Sequence, residues 1–138
     1  MTGEYQHSLD AKGRLFIPAR LREDLGDTFY VTISMDKCLT AYSMESWAAI
    51  QAKFDALPLS QARRMRPLFA NAARCELDAQ GRILLPQKLR DFAELKKNVT
   101  VIGVSNHAEL WDSERWAAIE AEELTPENIA AAMEELGF

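Results

Sequence analysis

Leu9-Asp10-Ala11-Lys12-Gly13-Arg14-Leu15-Phe16-Ile17-Pro18-Ala19-Arg20-Leu21-Arg22 returns 68 residues later as Leu77-Asp78-Ala79-Gln80-Gly81-Arg82-Ile83-Leu84-Leu85-Pro86-Gln87-Lys88-Leu89-Arg90. Leu, Asp, Ala, Gly, Arg, Pro, Leu and Arg recur identically, and most other positions exchange like for like. The chain is a duplication, and the fold of one copy is the fold of both.

Each copy follows one physical logic. Asp10 and Asp78 can bond the backbone ahead of them through the carboxylate. Gly13 and Gly81 accept a positive φ without steric cost, so each pair shapes a turn. The apolar runs that follow, Leu15-Phe16-Ile17 and Ile83-Leu84-Leu85, have the length of short strands. They end at Pro18 and Pro86, residues suited to the first position of a helix, where a missing N–H is no loss. Strand, turn, strand and helix are therefore expected in each copy, with Arg14 and Arg82 projecting from the turn.

The remaining elements are read outward from these turns. Residues 4 to 9 predict a first strand, and Leu21 and Leu25 give the first helix one apolar face that Gly26 closes. Thr28 to Ser34 and Leu39 to Tyr42 are strands by their β-branched and aromatic content. Ser43 caps a helix with an apolar stripe of Met44, Trp47, Ile50, Phe54 and Leu57, ended by Pro58. A second helical pattern from Ser60 should kink or break at Pro67. The second copy predicts strands at 74 to 77, 82 to 85, 98 to 104 and 108 to 111, with a helix from Pro86 to Leu95. Ser46 to Ile50 matches Arg115 to Ile119 at an offset of 69, which implies one residue gained in a turn, and Asp112 stands as the helix cap that matches Ser43. Thr125-Pro126 opens a final helix with Ile129, Ala132, Met133 and Leu136 on one face.

This pattern reads as one α+β domain over residues 1–138 with pseudo-twofold symmetry. Its parts are a first repeat with its helix (4–57), a linking helix (58–73), a second repeat with its helix (74–124) and a C-terminal helix (125–138). At 138 residues and 48% apolar content the chain can bury a shared core. No apolar run reaches the roughly 20 residues of a membrane helix, so a cytoplasmic location without membrane contact is expected. Cys38 and Cys75 stand apart and only two histidines accompany them, so no metal site and no cofactor is expected, and both thiols are read as inert. Gly-x-x-x-x-Gly-Lys, Gly-x-Ser-x-Gly and His-Glu-x-x-His are all missing, so the sequence offers no scaffold for the corresponding chemistries.

The charge is uneven. Of the net −5, residues 112–138 carry −7, from eight acids against Arg115 alone, which leaves residues 1–111 at +2. Lys12, Arg14, Arg20 and Arg22 against Asp10 make the first turn the basic focus. A phosphate within a Debye length of about 8 Å feels that local sign.

The doubled Asp-x-x-x-Arg turn, followed by an apolar strand, Pro and a short Leu/Arg helix, resembles the swapped-hairpin DNA-binding unit of the AbrB type. Two such units, Asp10-Ala-Lys-Gly-Arg14 and Asp78-Ala-Gln-Gly-Arg82, in a chain of this length resemble the MraZ family. The resemblance spans the chain. It implies duplicated β-hairpin or β-barrel halves and a nucleoid-associated transcriptional regulator of the division and cell-wall gene cluster. Its partners would be double-stranded DNA with repeated boxes and its own copies in a ring. Arg14 and Arg82 would contact bases or phosphates, and Asp10 and Asp78 would set the turns. Copy two has Gln80 where copy one has Lys12, which weakens its electrostatic contact.

Plainer readings stand beside these. Asp10 with Arg14 can be an internal ion pair that stiffens a turn, worth about 0 to 1 kcal/mol when exposed. Arg20, Arg22, Lys88 and Arg90 are placed in first helical turns, where the dipole does not favour a cation. They can clamp phosphates, pair with Asp10 or Asp78, or face solvent. Arg63, Arg64 and Arg66 form a solvated charge run, and Trp47 and Trp116 suit a core or subunit contact better than base stacking. The alternative function is an antitoxin-like protein-binding module on the same unit.

Overall fold

The computed structural model describes residues 1–138. Eight strands and seven helices follow in the order β1 (Glu4–Ser8), β2 (Arg14–Phe16), α1 (Ala19–Leu25), β3 (Thr28–Ile33), β4 (Leu39–Ser43), α2 (Met44–Asp55), α3 (Leu59–Ala62), α4 (Arg66–Ala70), β5 (Ala73–Glu76), β6 (Arg82–Leu84), α5 (Gln87–Phe92), β7 (Asn98–Val104), β8 (His107–Asp112), α6 (Ser113–Glu123) and α7 (Pro126–Glu135). The α+β class and the duplication are as the repeat implies.

The copies interleave instead of standing side by side. A six-stranded antiparallel sheet runs β1-β7-β8-β4-β3-β5, and β2 pairs with β6 as a separate ribbon. The first strand of each copy thus lies on the β-hairpin of the other: Tyr5 faces Val101, and Cys75 faces Phe29. Arg14 pairs with Leu84 and Phe16 with Arg82 across the ribbon. At the first turn only the Leu9–Leu15 bridge joins β1 to β2 before the two strands diverge to different partners. Neither copy can close its half without the other.

Alternation places the core. Leu15 and Ile17 from the first copy and Ile83 and Leu85 from the second are fully buried, together with Phe29, Val31, Leu39, Val99, Val101 and Leu110. Each such side chain contributes about 1.5–3 kcal/mol by its burial, and both copies supply them to one shared cluster. Cys38 and Cys75 are buried free thiols. Desolvation pushes them up to about 12 and about 11, so the reactive thiolate is suppressed in both.

Four expectations are revised. Pro18 and Pro86 occupy the capping position with extended ψ instead of the first helical position. Their carbonyls accept the first helical bonds, from Leu21 and Arg22 and from Leu89 and Arg90. The helices they open are so short that Arg22 and Arg90 fall in the last turn, where the dipole favours a cation. The linking segment breaks into a 3-10 turn at Arg63–Met65, before Pro67, which sits in the first turn of α4, where a proline is tolerated. The second-copy helix ends at Phe92, with Glu94 at φ 51.

The offset between copies also resolves into two changes. Phe29 pairs with Ser43 and Val99 with Asp112, so β3 maps on β7 at 70 residues and β4 on β8 at 69. Two residues were gained between α5 and β7, and the following hairpin loop is one residue shorter.

The capping predictions hold. Ser43, Asp112 and Thr125 each accept a bond from the backbone N–H three residues on. Trp47 is buried, stacked on Tyr30 at 4.9 Å and tilted against Phe69 at 5.3 Å. Trp116 is half-buried on Trp111 and donates to Glu4 Oε1 at 2.5 Å. Nearly all of α7 is exposed, with Ile129, Met133 and Leu136 unpartnered. No helix is long and apolar enough to cross a membrane.

Candidate nucleic-acid interface

Both turns are built by the same carboxylate. Asp10 Oδ1 accepts from the backbone N–H of Lys12 at 3.0 Å and of Arg14 at 2.8 Å, while Oδ2 accepts from Arg14 Nε at 2.6 Å. Asp78 does the same with Gln80, Arg82 and Arg82 Nε, each at 2.9 Å. The backbone N–H of Arg14 and of Arg82 is the leading cause that holds each carboxyl below its usual value. Gly13 and Gly81 sit at φ 82 and 80, as their place in the turn requires.

These contacts aim the arginines. With Nε fixed on its own aspartate, each guanidinium is held about one axis, and its outer edge is turned away from that carboxylate. The two tips are neighbours: Arg82 Nη1 lies 3.8 Å from Asp10 Oδ2 as well as within reach of its own loop. Arg14 and Arg82 therefore share one surface, each about a third exposed. The ion-pair reading of these residues and the outward-facing reading are compatible, because the pair uses Nε and leaves the far edge.

The tips differ in what is left over. No hydrogen bond occupies the terminal nitrogens of Arg14, whereas Arg82 Nη2 donates to Gln80 Oε1 at 3.3 Å. Lys12 is exposed and forms no ion pair. The flanks differ in sign. Leu9 N donates to Lys97 O at 2.8 Å, and Leu77 N donates to Asp27 O at 2.9 Å, so Lys97 and Asp27 are equivalent positions. Lys96 and Lys97 border the first tip's cleft, while Glu23 and Asp27 border the second's. Lys96 is partly neutralised by Glu114 at 3.5 Å and Asp112 at 3.9 Å.

The four helix cations separate. Arg20 is exposed and borders a cleft with Met1, Thr2 and Tyr5, beside the start of β1 and not its tip end. Lys88 is exposed on α5. Arg22 and Arg90 are half-buried and packed on the opposite copy: Arg90 against Gly13, Arg22 against Gly81. Lys96 and Lys97 are the residues that sequence reading overlooked. Aligning the copies by β3 and β7, at an offset of 70, sets this pair against Gly26-Asp27 and shows the charge reversal. No three His, Cys, Asp or Glu side chains converge in a way that could hold a metal ion.

Comparison with known proteins shows the same duplication. The family model described as "MraZ protein, putative antitoxin-like" matches residues 1–66 and again 68–136, one match for each copy. A protein of Halothermothrix orenii is 45% identical over 99% of this chain and 98% of its own length. One of Acetivibrio thermocellus is 48% identical over the same shares, and one of Caldicellulosiruptor saccharolyticus 47% identical over 100% and 99%. All three carry the name transcriptional regulator MraZ, a regulator's name and not an enzyme's. With the doubled match across its whole length and relatives this similar end to end, the chain belongs to the MraZ family.

Proposed function

We propose that this chain is a transcriptional regulator that binds double-stranded DNA sequence-specifically through its two tips. Its targets are repeated boxes, including its own promoter in the division and cell-wall gene cluster. The observation that carries the reading is the outward edge of Arg14, fixed at Nε by Asp10 and left without a partner at its terminal nitrogens. A guanidinium so held suits the O6 and N7 pair of guanine in the major groove. Arg82 is the second reader, and Lys12 and Lys97 neutralise phosphates beside the first tip, with Lys88 as an outer contact; Arg20, beside the start of β1, stands apart from this group. The relatives' name supports regulation of transcription.

One subunit offers few cations and an overall charge of −5, so affinity comes from several subunits on several boxes. A rigid ring makes later contacts effectively intramolecular, adding about 10² to 10⁴ in avidity. Trp47 is consumed inside the chain, so the subunit contact falls to the unpartnered face of α7 and the surface around Trp116. Such an assembly would act in the cytoplasm, on the nucleoid. A gel shift on the DNA upstream of its own gene, at two salt concentrations, tests the reading. Binding no tighter than to unrelated DNA would leave the antitoxin-like alternative, in which the same tips meet a protein.

A further inference from the structure

We infer that Arg22 and Arg90 are positioning residues, each setting the recognition tip of the opposite copy, and not phosphate clamps. A Cβ on Gly13 would stand 2.8 Å from Arg90 Cζ, 2.9 Å from Nη2 and 3.0 Å from Nε. A Cβ on Gly81 would collide with Arg22 Nη1 and stand 2.9 Å from Cζ. In each case a flat guanidinium lies against the bare backbone of the other copy's tip glycine. The glycine is required twice, for its positive φ and for this close approach.

The guanidinium is itself held. Arg90 Nε donates to Leu85 O at 3.0 Å. Arg22 lies over the Phe16 ring, 5.0 Å from its centroid, with a buried Nε that bonds nothing. The backbone repeats the exchange: Leu85 N donates to Gly13 O at 2.9 Å, and Ile17 N donates to Gly81 O at 3.0 Å. Each strand-to-helix junction thus grips the other copy's glycine by one backbone bond and one arginine. The arginine beside that glycine, Arg14 or Arg82, takes its aim from this grip. Lysine cannot substitute, because its compact, strongly hydrated ammonium does not lie flat on a peptide, and at position 90 it also lacks the Nε–H that bonds Leu85 O.

The binding part of this inference rests on the proposed DNA reading; the tip-positioning part does not. The test is Arg90→Lys and Arg22→Lys in the full chain, read in two ways. In backbone amide NMR, Arg90→Lys is expected to shift residues 11–14 and spare 79–82, and Arg22→Lys to do the reverse. In DNA titrations Arg90→Lys is expected to lower specific affinity about 10-fold, with an unchanged salt slope and no further loss in an Arg14→Ala background. A well-folded Arg90→Lys that binds like the parent, beside an Arg90→Ala whose salt slope falls by about 0.9, makes Arg90 a phosphate clamp and overturns the inference. Shifts confined to the arginine's own tip, or global unfolding of both lysine variants, overturn it as well. If the parent binds no specific DNA, the function proposed above fails, while the amide shifts still decide the positioning.

Discussion

The two tips share a backbone, a carboxylate and an arginine, yet they are not equivalent. The first has Lys12, Lys97 and an arginine with free terminal nitrogens. The second has Gln80, which bonds its arginine, and Asp27 where the first has Lys97. The two extra residues between α5 and β7 place the Lys96-Lys97 pair at the first tip. Duplication supplied two copies of one scaffold, and changes within the turn, Lys12 against Gln80, and beside it, Lys97 against Asp27, then set the charge around each copy. A phosphate approaching the shared surface meets cations on one side and carboxylates on the other, within a Debye length of about 8 Å.

The comparison predicts unequal losses. Arg14→Ala is expected to reduce specific DNA affinity by about 100-fold, toward the upper end of roughly 1–3 kcal/mol for a bidentate base contact, and Arg82→Ala by about 10-fold. Neither change empties the core, so thermal unfolding should move little. Equal losses in quantitative gel shifts would show that the free edge of Arg14 confers no advantage.

Gly13→Ala and Gly81→Ala come next, and here the tips should behave alike. Each forces an L side chain to φ near 80° and pushes it into an arginine. The expected destabilisation is about 1–2 kcal/mol from the backbone alone, measured by denaturant unfolding. If an Arg90→Ala change relieves Gly13→Ala but leaves Gly81→Ala untouched, the cross-copy pairing is as described.

Exchanging the flanks should transfer the asymmetry. Asp27→Lys with Gln80→Lys gives the second tip the charges of the first and is expected to steepen the salt dependence of binding. Lys97→Asp is expected to flatten it by about 0.9 for each phosphate that is no longer neutralised. Slopes that stay put under both changes would remove the flanks from the interface.

Much of this was legible in the residues. The repeat announced the duplication, and Asp, Gly and Arg at fixed spacing announced the turn, because each has a local physical reason to be there. Ser43, Asp112 and Thr125 announced their helices for the same reason. What a strand pairs with is not local: nothing in Glu4–Ser8 says that it lies on β7 of the other copy. The fate of Arg22 and Arg90 depended on that exchange. As helix cations they could clamp phosphates, pair with Asp10 or Asp78, or face solvent, and only the interleaving brings them onto Gly81 and Gly13. Lys97 escaped notice because the repeat offset changes from 68 at the turns to 70 at β7, so its true counterpart, Asp27, was hidden.

The smallest expected effect is also the one that compares the two carboxylates most directly. Asp10 and Asp78 are each held below the ordinary value of 3.8, first by the backbone N–H of the following arginine and further by its guanidinium. Because the folded turn favours the anion, this stabilisation is complete above 3.8 and is lost as pH falls through the lowered values. Both groups face solvent, so the acid limb of the unfolding curve should respond only slightly. The turns themselves should respond clearly: the Nε–H signals of Arg14 and Arg82 should persist through pH 4 and vanish together with titration of their aspartates. Asp10 has the shorter bond to Nε, 2.6 against 2.9 Å, and Arg82 Nη1 stands 3.8 Å from its Oδ2. It should therefore release its proton at lower pH than Asp78, and Arg82→Ala should narrow that gap. Carboxyl carbon titrations of the parent and of Arg82→Ala decide it, and an Asp78 that titrates below Asp10 would mean that the two tips do not share charge across their surface.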